Sequence, residues 1–173
     1  MKSFTRLSIA VSLAAGVHRV TANFQPAAGP LLIISSIVPL GEHNLTVWSE
    51  SSAPPDPIAE PAAVACGTND VTCSGGHKAT SSICNQLINQ LSANGGTVIG
   101  NSPRSICLGQ GGNQCCVSWS AAVGNMPQGD LFNAANKVFH SCFGTTISGL
   151  ARNVELNGGC VTQCLSNRPT GCE

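Results

Sequence analysis

The chain has 173 residues, with eight basic and eight acidic side chains, four histidines and ten cysteines. It has no Lys/Arg cluster that could follow a phosphate backbone, which argues against a nucleic-acid partner. The second apolar run, residues 27–40, contains two prolines and is shorter than the ~20 residues that a membrane-spanning helix needs, so we expect no transmembrane segment.

The first 22 residues predict export from the cell. Lys2 and Arg6 precede an apolar run from Leu7 to Val17, and the segment ends in Val20-Thr21-Ala22. This is the pattern of a secretory signal peptide, and we expect cleavage after Ala22. The mature chain then has five basic residues against eight acidic ones, a net charge of about −3. We expect a secreted, extracellular protein, and a monomer.

The cysteines all lie in the last 108 residues. An even number of cysteines in an exported chain indicates disulfides rather than thiols. The spacing of Cys160 and Cys164 also occurs in zinc sites, but such a site needs a second pair of ligands, so we expect no metal. The sequence does not fix the pairing of the ten predicted disulfide cysteines, Cys66, Cys73, Cys84, Cys107, Cys115, Cys116, Cys142, Cys160, Cys164 and Cys172.

Residues 23–65 differ in composition from the cysteine-rich region. They hold seven of the ten prolines and no basic residue. Proline fixes its own backbone dihedral and lacks an N–H donor, so we expect a largely disordered arm or a removed propeptide. Asn44-Leu45-Thr46 is a glycosylation sequon. As an alternative for part of this segment, the apolar run Leu31 to Leu40 could add a strand to the domain.

Residues 66–173 are expected to form the folded domain. Apolar residues at helical spacing predict a first helix over residues 79–94, with Gly95-Gly96 at its end. Short extended pieces at 97–99 and 104–108 lead through the turn-rich Gly109 to Asn113 into the alternating stretch "QCCVSW", which predicts a hairpin.

A second helix is predicted from Asp130, as its capping residue, to Cys142. A strand from Leu150 to Leu156, a turn and a last extended segment to Cys172 follow. Two helices separated by a hairpin predict the α+β class: a small, disulfide-rich, two-layer sandwich. Its antiparallel sheet carries both helices on one face, in a split βαβ-like arrangement.

The neighbouring cysteines Cys115 and Cys116 must serve opposite faces of a strand, because successive side chains alternate. Cys115 shares its face with Trp119, which favours Cys84 or Cys142 on a helix as its partner. Cys116 lies on the other face, and we expect it to hold a segment bearing Cys160, Cys164 or Cys172. A bond between the two neighbours would strain the peptide between them.

We find no sequence pattern for catalysis, and we expect no enzyme and no cofactor. His77 lies in a glycine-rich loop, and His140 lies near a helix C-terminus, where a cation suits the helix dipole. Nothing local pairs Asp70 with Glu155 as in a glycosidase. Glu173 is terminal. No G-x-S-x-G stretch occurs, and the glycine clusters lack the lysine of a phosphate loop.

The runs "SPRSICLGQGGNQCCVSWS" and "NVELNGGCVTQCLSNRPTGC" resemble the secreted cysteine-rich fungal proteins grouped as the WD-like fungal domain. The resemblance covers about Cys66 to Cys172. It implies export from a fungus and a disulfide scaffold, no β-propeller and no assigned reaction. A looser, architectural likeness is to the killer toxins of smut fungi. Hydrophobins have an eight-cysteine pattern with two vicinal pairs. One such pair occurs in this sequence, so the hydrophobin family is set aside.

The sequence therefore predicts an extracellular binding protein with an unknown cell-surface or protein target. The first hypothesis is an effector or killer-toxin-like protein that acts on a host or competitor. The second is a cell-wall or developmental structural component. The third is an inhibitor of a secreted hydrolase, with Gly109 to Asn113 as its rigid exposed loop.

Overall fold

The computed structural model describes residues 31–51, 66–99, 103–110, 113–142 and 144–170. Their main feature is a seven-stranded sheet in which every neighbouring pair of strands is antiparallel. Its strands follow the spatial order β1-β2-β6-β7-β11-β10-β3. They are β1 (Leu32–Leu40), β2 (His43–Glu50), β3 (Asp70–Cys73), β6 (Pro103–Gln110), β7 (Asn113–Trp119), β10 (Gly149–Leu156) and β11 (Gly159–Ser166).

Four short strands form two further pairs beside the main sheet. Strand β4 (Ala79–Thr80) pairs with β9 (Thr146–Ile147), and β5 (Val98–Ile99) pairs with β8 (Met126–Pro127). These pairs lie at the ends of the helices, where they hold the connections between helix and sheet.

Two helices cover one face of the main sheet. Helix α1 (Ser81–Ala93) buries the five residues that its periodicity predicts, Ile83, Cys84, Leu87, Ile88 and Leu91. Helix α2 (Phe132–Ser141) buries Ala134, Ala135, Val138 and Phe139. Helix α1 contacts β6 and β7, α2 contacts β10, β11 and β3, and the two helices contact each other. This is the predicted α+β sandwich.

The core lies between the helices and the helix-facing side of the sheet. Direct cross-strand partners share a face, so the register places Leu45, Ile106, Val117 and Leu165 on this side, and all four are buried. Trp119, on the same side, is fully buried. The opposite side of the central strands, here called the outer face, carries the buried small side chains Ser105, Cys107, Cys116, Ser118 and Ser166.

Two local predictions are wrong. Asp130 does not cap α2: it lies inside a 3-10 turn, Gln128–Leu131, and the residue before α2 is Leu131, with no side-chain cap. Helix α1 ends as predicted, yet neither Gly95 nor Gly96 is among the glycines with positive φ. Asn94 closes the helix instead, because its backbone N–H donates to the Gln90 carbonyl at 3.0 Å.

The segment 31–51 does not match the description of residues 23–65 as a largely disordered arm. It forms the β1–β2 hairpin, with Gly41 at φ +61° in the turn. Strand β2 pairs with β6 along six residues and buries Leu45 and Val47 against the core. The alternative of an added strand is the one that matches this segment, while residues 52–65 lie outside the described residues.

Four disulfides join cysteines of the described residues. Cys66 binds Cys160, Cys73 binds Cys142, Cys84 binds Cys115, and Cys107 binds Cys116. Cys164 is also disulfide-bonded, and Cys172 lies outside the described residues.

Alternation predicts that Cys115 pairs with Cys84 or Cys142, and the structure has the bond to Cys84. The expectation for Cys116 is wrong, because Cys107 lies directly opposite it in the β6–β7 hairpin, with 4.0 Å between the two Cα atoms. Directly opposite residues point to the same face and are the nearest partners available.

Strand β1 is an edge strand of the main sheet, and its pairing with β2 is irregular at one position. The register with β2 shifts between Ile34 and Ser36, so Ser35 is the extra residue of a β-bulge. The Ser35 hydroxyl donates to the Val47 carbonyl at 3.0 Å. Pro39, near the end of the strand, lacks an N–H to offer a further strand. Bulges and prolines are devices that keep edge strands from pairing with other chains.

Candidate functional site

Exposed apolar side chains concentrate on β1. Of the six large hydrophobic residues that are exposed in the described part of the chain, five lie in residues 31–38, and the sixth is Val98. The bulge places Ile34 and Ile37 on the same side of the sheet, because their partners in β2, Trp48 and Thr46, share a face. Ile34 is 49% exposed and Ile37 is 55% exposed.

Ile34, Ile37 and the half-buried Trp48 form what we call the outer patch, on the outer face of the hairpin. The hairpin segment from Leu31 to Gly41 contains no charged residue. Contiguous apolar surface of this kind marks interaction sites in proteins that are otherwise polar outside. The outer patch can therefore contact an uncharged, apolar surface of another molecule.

A cavity of about 360 Å³ lies on the helix-facing side of the same hairpin. We call it the seam cavity, because one wall comes from β1 and β2 and the other from Thr97–Ile99 and Gln128. Val38, Val47 and Val98 line it together with serine and threonine side chains. The volume and the mainly apolar lining with a few polar groups fit a small-molecule site.

A second concave region, of about 430 Å³, is polar. Asp130, Asn133, Glu155 and Asn157 line it beside Ala134 and Val154. The structure thus brings Glu155 to the same cleft as Asp130, a neighbour that the sequence did not suggest. Both carboxylates are exposed, and the residues that the structure describes contain no group of three His, Cys, Asp or Glu that could hold a metal ion.

The histidines and acids that the sequence analysis weighed for catalysis lie apart in the described part of the chain. His77 lies in an exposed loop at φ +51°, and its carbonyl accepts the Asn167 N–H at 2.9 Å. His140 is exposed in the last turn of α2, with its ring edge-on to Phe139. Glu173 lies outside the described residues.

Asp70 has a structural role. Its carboxylate accepts hydrogen bonds from the Thr68 hydroxyl at 2.8 Å and from the Asn153 amide at 2.9 Å. These two bonds, the first more than the second, hold the pKa of Asp70 below its usual range. They tie the segment before β3 to β10.

Two further residues or segments singled out in the sequence are Asn44 and the loop from Gly109 to Asn113. Asn44 lies half-buried in β2, between Pro39 of β1 and Gly109 of β6, and its glycosylation stays a prediction. The loop proposed for an inhibitor, Gly109 to Asn113, includes residues 111–112, which lie outside the described residues. None of the described helices is long and apolar enough to cross a membrane.

Sequence reasoning missed both surfaces of the hairpin. A signal was present: Gly41-Glu42 can form a turn, and Leu45 and Val47 alternate with polar residues after it. The prolines nearby and the unbroken apolar run before the turn obscured that pattern. Gln128 gave no signal, because its burial depends on the pairing of β5 with β8.

The fold and the cysteine bridges together define a class: a small α+β sandwich protein with a disulfide scaffold. Residues 59–172 match the family described as Fungal WD-like, and the chain belongs to that family. No curated protein and no solved structure matches the chain. The match begins after the hairpin of residues 31–51, so both the outer patch and one wall of the seam cavity lie before the matched residues.

Proposed function

We propose that this protein is a secreted binding protein that acts on a host or a competing organism, as an effector or a toxin-like protein does. Its point of contact is the outer patch, which docks on an apolar, uncharged surface of an extracellular target. The observation that carries the proposal is the half-exposed Ile34 and Ile37 side by side on an uncharged strand.

Two further features support export and a binding role. The disulfides favour an oxidising compartment, since thiols are kept reduced in the cytosol. They also fix the scaffold against which the hairpin pairs, since Cys107 of β6 is bonded to Cys116 of β7. The bulge and Pro39 favour contact through side chains, because they leave the edge of β1 poorly suited to backbone pairing.

The alternatives from the sequence are a structural component of the producer's own wall and an inhibitor of a secreted hydrolase. The uncharged patch is as compatible with a wall partner as with a foreign one. Where the protein binds therefore decides between the first two roles, and inhibition of purified secreted hydrolases would indicate the third.

The first prediction concerns Ile37. We expect labelled mature protein to bind intact host or competitor cells saturably, and Ile37→Ser to weaken this binding about four- to fifteenfold. The reason is that full burial of an exposed isoleucine side chain contributes about 1.5–3 kcal/mol, and Ile37, which is 55% exposed, has about half of that burial left to gain. Titration of labelled protein on cells, followed by flow cytometry or sedimentation, measures the affinity.

The matched control is Val38→Ser, which removes an apolar side chain of similar exposure, 46% against 55%, from the same strand but from the opposite face. It should leave cell binding unchanged. Retention on the producer's own wall alone would support the structural role instead. Loss of binding in both variants, dimerisation through the patch in analytical ultracentrifugation, or turnover of a glycan, ester or peptide panel would contradict the proposal.

A further inference from the structure

The seam cavity contains a buried polar group that no described residue satisfies. Gln128 is only 5% exposed, and its Oε1 has no hydrogen-bond partner among the described residues. An unpaired buried amide costs free energy, so such groups are normally satisfied by protein, water or ligand. Gln128 lines the cavity, so a molecule in the cavity could supply the missing bond.

The backbone holds Gln128 in place. Its N–H donates to the Thr97 carbonyl at 2.9 Å, and the next N–H, of Gly129, donates to the Gly95 carbonyl at 3.0 Å. The same Thr97 and its neighbour Val98 form the wall of the cavity. The polar group and the apolar wall are therefore parts of one fixed unit, the β5–β8 pair and the turn that follows it.

The mouth of the cavity exposes apolar surface from both walls. Val38 on β1 is 46% exposed, and Val98 on β5 is 61% exposed. A ligand that lay between them would remove both from water. None of the described residues that line the cavity is charged, so a charged group there would lose its hydration without a counter-charge.

We propose that the seam cavity is a binding site for a small, neutral aliphatic molecule that carries one hydroxyl group. The chain lies against Val38, Val47 and Val98, and the hydroxyl bonds to the carboxamide of Gln128. A hydroxyl is both a donor and an acceptor, so it satisfies the carboxamide in either of its two orientations. This inference does not rest on the proposed function, since the cavity and the outer patch lie on opposite faces of the hairpin.

The test uses mature, isotope-labelled protein and three probes of the same chain length: 1-hexanol, 1-chlorohexane and hexanoate. We expect saturable shifts of the amide signals of Ser36, Val38 and residues 97–99 in NMR titrations with 1-hexanol. The dissociation constant for hexanoate should be at least about tenfold higher, because its charge is uncompensated. 1-Chlorohexane is more hydrophobic than 1-hexanol but cannot donate the hydrogen bond, so the two probes are compared by the ratio of their dissociation constants in the wild type and in the variants.

Three variants make the test specific. Gln128→Met keeps the length of the side chain and should reduce the preference for 1-hexanol, the ratio of the 1-chlorohexane dissociation constant to that of 1-hexanol, about three- to tenfold. Val98→Ser should weaken both neutral probes, while Ile37→Ser, on the outer face, should change neither. Unperturbed amide spectra of the free variants show that each one is folded.

The inference is overturned if 1-hexanol produces no saturable shifts around the cavity, or if hexanoate binds as well as the alcohol. It is also overturned if Gln128→Met leaves the preference intact, which would mean that water alone satisfies the amide. Cell binding by Ile37→Ser and probe binding by Gln128→Met are separate measurements, so either proposal can fail without the other.

Discussion

At the scale of single residues, Gly149 shows how closely α2 lies on the sheet. A Cβ atom at this position would come within 2.8 Å of the Cys142 sulfur and within 3.0 Å of both the Thr72 carbonyl oxygen and Val138 Cγ1. These atoms belong to the disulfide from β3 to the end of α2, to β3 and to α2 itself. Glycine is therefore required here by the close approach of three elements.

We predict that Gly149→Ala destabilises the protein by about 1–3 kcal/mol, because α2 and its disulfide must shift to make room for the methyl group. Gly75→Ala is the control: a Cβ at Gly75 meets no atom within 4 Å, and the change should stay within about 0.5 kcal/mol. Urea unfolding of the mature chain measures both values. Equal effects of the two substitutions would show that α2 does not press on Gly149.

Single-residue expectations held where a periodic pattern carried them. Alternation correctly separated the faces of Cys115 and Cys116, and the helical stripe gave the buried side of α1. The partner of Cys116 was missed because it depends on register. Counting back along the hairpin from Gln110 opposite Asn113 places Cys107 opposite Cys116, so the signal lay in the length of the turn.

At the scale of elements, the two disulfides of β7 differ in what they connect. Cys84–Cys115 ties α1 to the sheet across a sequence separation of 31, whereas Cys107–Cys116 links two strands of one hairpin across a separation of 9. In the loop-entropy account, a bridge restricts the unfolded chain more when it closes a longer loop. The hairpin bridge also duplicates a proximity that the β6–β7 backbone pairing already enforces.

We predict that replacing Cys84 and Cys115 together by alanine costs about 3.7 kcal/mol, against about 2.6 kcal/mol for Cys107 and Cys116. The difference, about 1 kcal/mol, is measurable by chemical unfolding of the two double variants beside the wild type. A larger cost for the hairpin bridge would contradict the loop-entropy reason and would point to strong packing of that bridge on the outer face.

The two helices and the strands β6, β7 and β10 of the family-matched region were predictable, because local patterns indicate them: helical spacing in α1 and α2, alternation in β7, and turn residues before β11. The two-residue strands β4, β8 and β9 were not predicted. The β1–β2 hairpin was not, since prolines on both sides suggested an arm. The order of strands in the sheet depends on pairings between distant segments, such as β3 with β10. No local pattern of residues contains that information.

At the scale of the whole molecule, the β1–β2 hairpin differs from the rest of the fold in the interactions that stabilise it. Residues 31–51 contain no cysteine, and the four bridges that join described residues all lie between Cys66 and Cys160. The hairpin is held by its pairing with β6, by the burial of Leu45 and Val47, and by the ion pair of Glu50 with Arg104. Arg104 also donates to the Trp119 and Ser120 carbonyls, and burial lowers its pKa.

We predict that the hairpin opens locally without unfolding the disulfide-linked strands. Amide hydrogen exchange in β1 and β2 should then be faster than in β7 and β11, since local opening needs less free energy than global unfolding. Hydrogen-exchange mass spectrometry or NMR on the full mature chain measures this. Equal protection of all four strands, at the level set by global unfolding, would mean that the hairpin belongs to the same cooperative unit.

The irregularity at Ser35 has a consequence for how the protein behaves when many copies gather. A long, regular strand rich in isoleucine at the rim of a sheet is a template on which further copies can stack into fibrils. The bulge at Ser35 and the missing N–H of Pro39 make β1 a poor template for such stacking. Its apolar side chains nevertheless stay exposed. We therefore expect copies of the molecule to stay separate at high local concentration despite their exposed isoleucine side chains.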